Sequence, residues 1–491
     1  MAAILYFYRM RWLLLCLLFT TKFWAQNDLL GKNYFERGEY QKAVLIYETL
    51  FEENPQRMDW LDKLIVSYQQ LENFEAAQQT LTKVLSKKPF RPQLYVSLGY
   101  TYALQKNDSL TQEAYNKALE SIRSQPFYAY SVGRAFHNLG LLDNALKAYL
   151  IGLEYDPSLN LKPQMALIYG EQGNLPLFFE TYVDLIAENP AYITRAQRAF
   201  NMYVTENPEN NANKILLRTL LQKTQTDPNI LFNELLSWLF IQQHQYNKAF
   251  IQERAIYLRA AEGLNRISEL ALTAFDAKDY HTASTICHYI LQETNNTSGI
   301  QDRLFAEFYL LKITMATANT NTLQEVSNAF ETFFNTYGKN ARTFPFQIEY
   351  YAFLAFKFNQ VNTAISQLNN LINSAISAPQ KAQAKMLLAD VFVFTQQFNR
   401  ALILYSQVQH DFENDPIAQN ARFNVAKTSY YKGDFKWAQS QLDVLKKSVS
   451  QRIANDALYL SVLIRENTLE DSTKTALKGR KGGEGRSLLY L

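Results

Sequence analysis

The sequence predicts an all-α superhelix of antiparallel helix pairs, and three observations predict it. Columns of like residues recur every 34 positions across the N-terminal third. Within each period the small and apolar residues fall three or four positions apart, which is the spacing of one helix face. Only 16 glycines and 13 prolines occur in 491 residues, too few for the many turns of a compact all-β chain. A hydrophobic content of 47% also excludes a mainly disordered chain.

The first element is a leader. Arg9 and Arg11 precede the apolar run from Trp12 to Phe19, and Ala25 stands before the polar Gln26. This order reads as a secretory signal peptide over residues 1–25, cleaved after Ala25; translation from Met10 would give it a more regular form. The run is far shorter than the ~20 apolar residues that cross a bilayer, so no stable membrane span is expected in the mature chain. Leu15 before Cys16 is too large for a lipidated cysteine. Removal of the leader leaves Cys287 as the one cysteine, which suits an oxidising compartment. The formal charge of +3 includes Arg9, Arg11 and Lys22. Without them the chain is neutral, and nucleic-acid binding, which needs a concentrated basic face, is not expected.

The repeat grid follows. Gly31, Ile65, Gly99 and Gly133 form one column, and Tyr34, Tyr68, Tyr102 and Phe136 a second. Ala43, Ala77, Thr111 and Ala145 form a third; Tyr47, Leu81, Tyr115 and Tyr149 a fourth. Pro55, Pro89 and Pro157 form a fifth, with Arg123 in the missing slot. Gly38 and Glu39 supply a tight turn between two helices, and Asn54 with Pro55 stops the second. Gly31 and Ala43 are small because the paired helices cross there, and Tyr34 and Tyr47 fill the flanking space. The aromatic content of 14% is thereby explained without a ligand.

These residues (Leu30-Gly31-x-x-Tyr34, then Ala43-x-x-x-Tyr47, then Pro55) resemble the tetratricopeptide repeat. About five units are expected over residues 26–192, the fifth shortened by one residue. An irregular helical connection with a loop near Asn207 and Pro208 is expected over 193–229. A second array is expected over 230–450, where Ala249 and Ala283 restore the 34-residue period and Leu304–Tyr337 is a degenerate pair with a loop around Thr317–Thr322. Ala364, Ala401 and Ala438 are then 37 apart, and the three extra residues are expected to lengthen the connection between units. A terminal helix is expected within 451–473. The tail at 474–491 is read as disordered or aberrant, with its Gly482, Gly483 and Gly485 unfit to cap the last apolar face.

The resemblance implies that the first helix of each pair lines a concave groove. Carried onto this grid, the groove candidates are Lys32, Val66, Val96, Tyr100, Tyr130, Arg134, His137 and Asn138. An aromatic strip beside an arginine suits an extended peptide or a helix; the alternative is that these side chains pack between units. Val66 and Val96 interrupt the basic and asparagine residues that the family's clamp for peptide C-termini needs, so that ligand is not expected.

No catalytic constellation is legible. The five histidines form no His-Glu-x-x-His pattern, and neither a nucleophile elbow nor a phosphate-binding loop occurs. His281 and His288 lack a third ligand, and Cys287 falls in the packing column of Tyr47. No metal and no cofactor is expected. The sequence thus points to a non-enzymatic scaffold that binds proteins or peptides of the cell envelope, exported to the periplasm of a Gram-negative bacterium. The alternatives are the helical part of a truncated cell-wall enzyme similar to lytic transglycosylases, and a peptidoglycan-binding repeat protein.

Overall fold

The structure, a computed structural model, describes residues 27–260, 263–294, 299–413, 415–446 and 451–468. The leader and the tail lie outside the described residues. Every regular element among the described residues is helical, and the chain divides into two compact units between residues 261 and 262. The first contains α1 (27–36), α2 (Tyr40–Glu53), α3 (Met58–Gln70), α4 (Phe74–Leu85), α5 (Gln93–Leu104), α6 (Asp108–Ser124) and α7 (Tyr128–Asn138). It continues through α8 (Leu142–Tyr155), α9 (Lys162–Glu171), α10 (Leu175–Glu188), α11 (Ile193–Phe200), α12 (Asn211–Thr226), α13 (Ile230–Gln242) and α14 (Tyr246–Ala260). The second contains α15 (Asn265–Asp276), α16 (Tyr280–Glu293), α17 (Ile300–Thr317), α18 (Leu323–Tyr337), α19 (Phe344–Phe356) and α20 (Val361–Asn373). It ends with α21 (Ala378–Phe394), α22 (Phe398–Asp411), α23 (Pro416–Lys432), α24 (Phe435–Leu445) and α25 (Gln451–Thr468).

Successive helices pack as antiparallel pairs, and first helices stack on first helices: α3 on α5, α5 on α7, α19 on α21, α21 on α23. Each unit is in this sense an α-α superhelical stack. The turn inside a pair recurs through the regular pairs. Gly38, Glu72, Lys106 and Gly140, spaced by 34, all have positive φ, between 57° and 75°. Asn359, Gln396 and Gly433, spaced by 37, repeat it at 55° to 87°. The next residue or so then caps the second helix: the side chains of Asn73, Asn107 and Asp434 accept from the backbone N–H three positions on.

Packing inside a pair rests on an offset of sixteen residues. A Cβ placed on Gly99 would lie 2.4 Å from Cε1 of Tyr115, and one on Gly133 2.3 Å from Cε1 of Tyr149. Where the first column holds Ile65, the sixteenth residue on is Leu81, and both are buried. The larger branch on one helix is matched by the loss of a ring on the other. The offset survives in Ala271/Cys287, Ala389/Tyr405 and Ala426/Leu442, whose second members are all buried.

The 37-residue period corrects one expectation. The connections do not lengthen: residues 54–57, 374–377 and 412–415 each join two helices across four positions. The extra residues instead extend the first helix of the pair, which has 17 residues in α21 and α23 against 13 in α3 and 12 in α5. Ser377 and Asp415 begin these longer helices as side-chain N-caps, Ser377 in a full capping box with Gln380. The missing proline at Arg123 acts similarly, because without it α6 continues to Ser124.

One buried side chain anchors the irregular stretch. Asn213, 1% exposed, donates to the carbonyls of Thr205 (2.7 Å) and Asn207 (2.8 Å) and accepts from the Thr205 N–H (3.1 Å). Asn213 thus ties the Thr205 and Asn207 backbone of the loop between α11 and α12 to the start of α12. The loop near Thr317–Thr322 lies between α17 and α18, and the expected terminal helix is α25.

Candidate functional site

On α3, α5 and α7 the residue after the small column and the residue three before it share one helix face. These are Asp62 and Val66, Val96 and Tyr100, Tyr130 and Arg134. The structure brings four of them onto one wall. Tyr130 is 45% exposed, Arg134 and Asp62 are exposed, and Tyr100 is half-buried. The Asp62 carboxyl is held above the ordinary carboxylate range, first by surrounding protein, then by Asp59, while Arg134 draws it down. Arg134 lies two pairs further on, on the same face of the stacked first helices α3, α5 and α7.

The tyrosines beneath the wall support it. Burial pushes the Tyr115 phenol up to about 12, with Tyr100 adding to the shift. Burial likewise pushes Tyr149 up to about 12, with Tyr130 raising and Arg134 lowering it. The rings of Tyr115 and Tyr149 fill the gaps at Gly99 and Gly133, one position before Tyr100 and Arg134. Gln69 on α3 donates to the Thr101 hydroxyl on α5 at 2.9 Å in the core between the two helices, which fixes their register.

Val96 is a correction. It is fully buried, within the core cluster that contains Ala129 and Val132 of α7, and takes no part in a groove. Valine is short, and the next pair closes over it where the longer Tyr130 of the same column reaches solvent. Val66 is half-buried and Asn138 exposed. Lys32 is exposed and pairs with Glu36 along its own helix at 3.6 Å. His137 is half-buried, its Nε2 2.8 Å from Glu171. Glu171 was not singled out from sequence, although it lies 34 positions beyond His137 and the repeat period places the two side by side.

The second unit carries a polar version of the same face. Asp390 follows Ala389 as Arg134 follows Gly133. Tyr405, 1% exposed, donates its hydroxyl to Asp390. Burial lifts the Asp390 carboxyl above the usual range, while Tyr405 and Lys427 pull it down. Cys287 is fully buried and burial pushes its thiol up to about 12, as suits a packing residue. Among the described residues no three His, Cys, Asp or Glu are placed to hold a metal. No helix among them is long and apolar enough to cross a membrane.

The fold and this wall define a helical-repeat protein of stacked pairs. No protein-family model matches the chain. Over 137 residues, 28% of the chain, it is 23% identical to the general transcriptional corepressor ssn6 of Schizosaccharomyces pombe, and the match spans 12% of that protein's length. Among solved structures, Naa15/Naa10 bound to HypK-THB aligns with 90% of this chain and 66% of its own, at 16% identity and a TM-score of 0.35. Yeast Tom70 aligns with 91% of this chain and 96% of its own, at 12% identity and a TM-score of 0.36.

Proposed function

We propose that the protein is a non-enzymatic scaffold of tetratricopeptide type, exported to the bacterial cell envelope, that holds an extended or helical segment of another protein against the wall of its first unit. The observation that carries the reading is the wall itself: Tyr100, Tyr130 and Arg134 stand on successive first helices, backed by tyrosines locked against glycine. Aromatic and arginine side chains on a rigid frame are the usual anchors of protein recognition. Export is supported by Arg9, Arg11 and the apolar run that follows them, and by a mature chain with the single Cys287.

The test compares Tyr130→Ala and Arg134→Ala with the parent chain, for melting temperature and for recovery of proteins captured from an envelope fraction. Loss of a central anchor typically costs about 2 kcal/mol of binding, roughly thirtyfold in affinity. The expected result is lost partners at unchanged melting temperature. Lowered melting with partners retained would make these side chains packing residues and end the proposal. A reporter active only outside the cytoplasm, fused to residues 1–40, tests export separately.

A further inference from the structure

We infer that α25 is a self-association surface, on which two copies of this chain pair antiparallel about a two-fold axis at Tyr459. The helix buries Ile453, Ala457, Leu460 and Ile464 in a cluster with Ala426 of α23 and Leu442 of α24. Its other side is unlike that of any interior first helix nearby. α23, which lies between α22 and α24, exposes no large hydrophobic side chain. α25 exposes three: Leu458 at 52%, Tyr459 at 74% and Val462 at 42%.

The charges around this stripe select the occupant. Arg452, Asn455, Tyr459, Val462 and Glu466 step by three and four positions, so they lie along one face, and all five are exposed. Arg452 and Glu466 each stand seven residues from Tyr459, about 10.5 Å along the axis. An antiparallel copy centred on Tyr459 sets Arg452 against Glu466 at both ends of a middle formed by Asn455, Tyr459 and Val462. A parallel copy would set like charge against like. A surface that is complementary to itself under a two-fold rotation is what a closed dimer requires. Arg465, beside the stripe, is engaged within its own chain by Asp443 at 3.9 Å, so it does not compete for Glu466 of the other copy. Three apolar side chains per copy make a small interface, and a reversible dimer in the micromolar range is expected.

Sedimentation of the full chain at micromolar concentrations tests this. The parent chain should be a reversible dimer, and Tyr459→Glu should be monomeric with unchanged helix content and melting temperature. Arg452→Glu and Glu466→Arg should each weaken the dimer roughly tenfold. The double variant Arg452→Glu/Glu466→Arg should restore it, because the exchanged charges again face their opposites. A monomeric parent chain overturns the inference, as does a dimer indifferent to Tyr459→Glu or a double variant no tighter than the singles. A chain ended after Thr468 that dimerises while the parent does not would assign the stripe to residues 469–491 and equally overturn it.

Discussion

The sixteen-residue match between the two helices of a pair can be tested by transplanting one pair's solution into another. At Gly133 an added Cβ would stand 2.3 to 2.7 Å from three atoms of the Tyr149 ring. That ring is 1% exposed and has nowhere to retreat. Overpacking of this kind costs about 1–3 kcal/mol, against a gain of about 1 kcal/mol for replacing a helical glycine by alanine. Gly133→Ala should therefore lose about 1 kcal/mol net, and Gly133→Ile, with its bulkier branch, about 3 kcal/mol. Tyr149→Leu alone leaves a cavity and should cost about 2–3 kcal/mol. The double variant Gly133→Ile/Tyr149→Leu copies Ile65 and Leu81, whose side chains are 3% and 0% exposed in the natural chain. Its cost should fall below that of either single change, a coupling of about 2 kcal/mol or more. In thermal unfolding followed by circular dichroism, 1 kcal/mol moves the midpoint of a unit this size by about 2–4 °C. Additive losses would refute the argument, since independent sites have no reason to rescue each other.

Three further outcomes are expected. Lys106→Gly and Gln396→Gly relieve positive φ at exposed turns and should each raise stability by about 1 kcal/mol, seen as a higher melting midpoint; Gly140→Ala, with open space around its Cβ, should lower it by a similar amount. Asn213→Ala strips the loop between α11 and α12 of three hydrogen bonds and should cost about 1–3 kcal/mol, with new proteolytic cleavage in residues 201–210; unchanged melting and cleavage would count against it. Asp390 binds its proton more tightly folded than unfolded, so its share of stability is full at acid pH and is lost as pH rises through the folded-state value. Asp390→Asn, which still accepts from Tyr405, should melt no lower than the parent at pH 7 and show a flatter stability profile on the acid side. A clear drop at pH 7 would mean that the charged carboxylate is net stabilising there.

The pair itself was legible in the sequence because every column that defines it is local. Gly31, Gly38, Ala43 and Tyr47 fall within one helix-turn-helix, and the contacts they make are set by helix geometry alone. The same offsets in Ala389, Gln396, Ala401 and Tyr405 show that the hairpin is unchanged where the period grows to 37. That constancy was also the signal that the extra residues belong outside the hairpin; only the structure showed that they extend the first helix rather than the connection.

What the tertiary structure decided lies between pairs. Val96 and Tyr130 occupy one column and one helix face, yet one is fully buried and the other 45% exposed. Periodicity states which way a side chain points and is silent on how far the next pair closes over it, which depends on side-chain length and on how the pairs stack. The pairing of His137 with Glu171 arises in the same way, across one pair boundary. The turns at Glu72 and Lys106 are a last instance. Neither residue favours positive φ, but the helices on either side are held by Tyr68, Leu81 and Tyr115 in the core, and packing of that size outweighs about 1 kcal/mol of backbone strain.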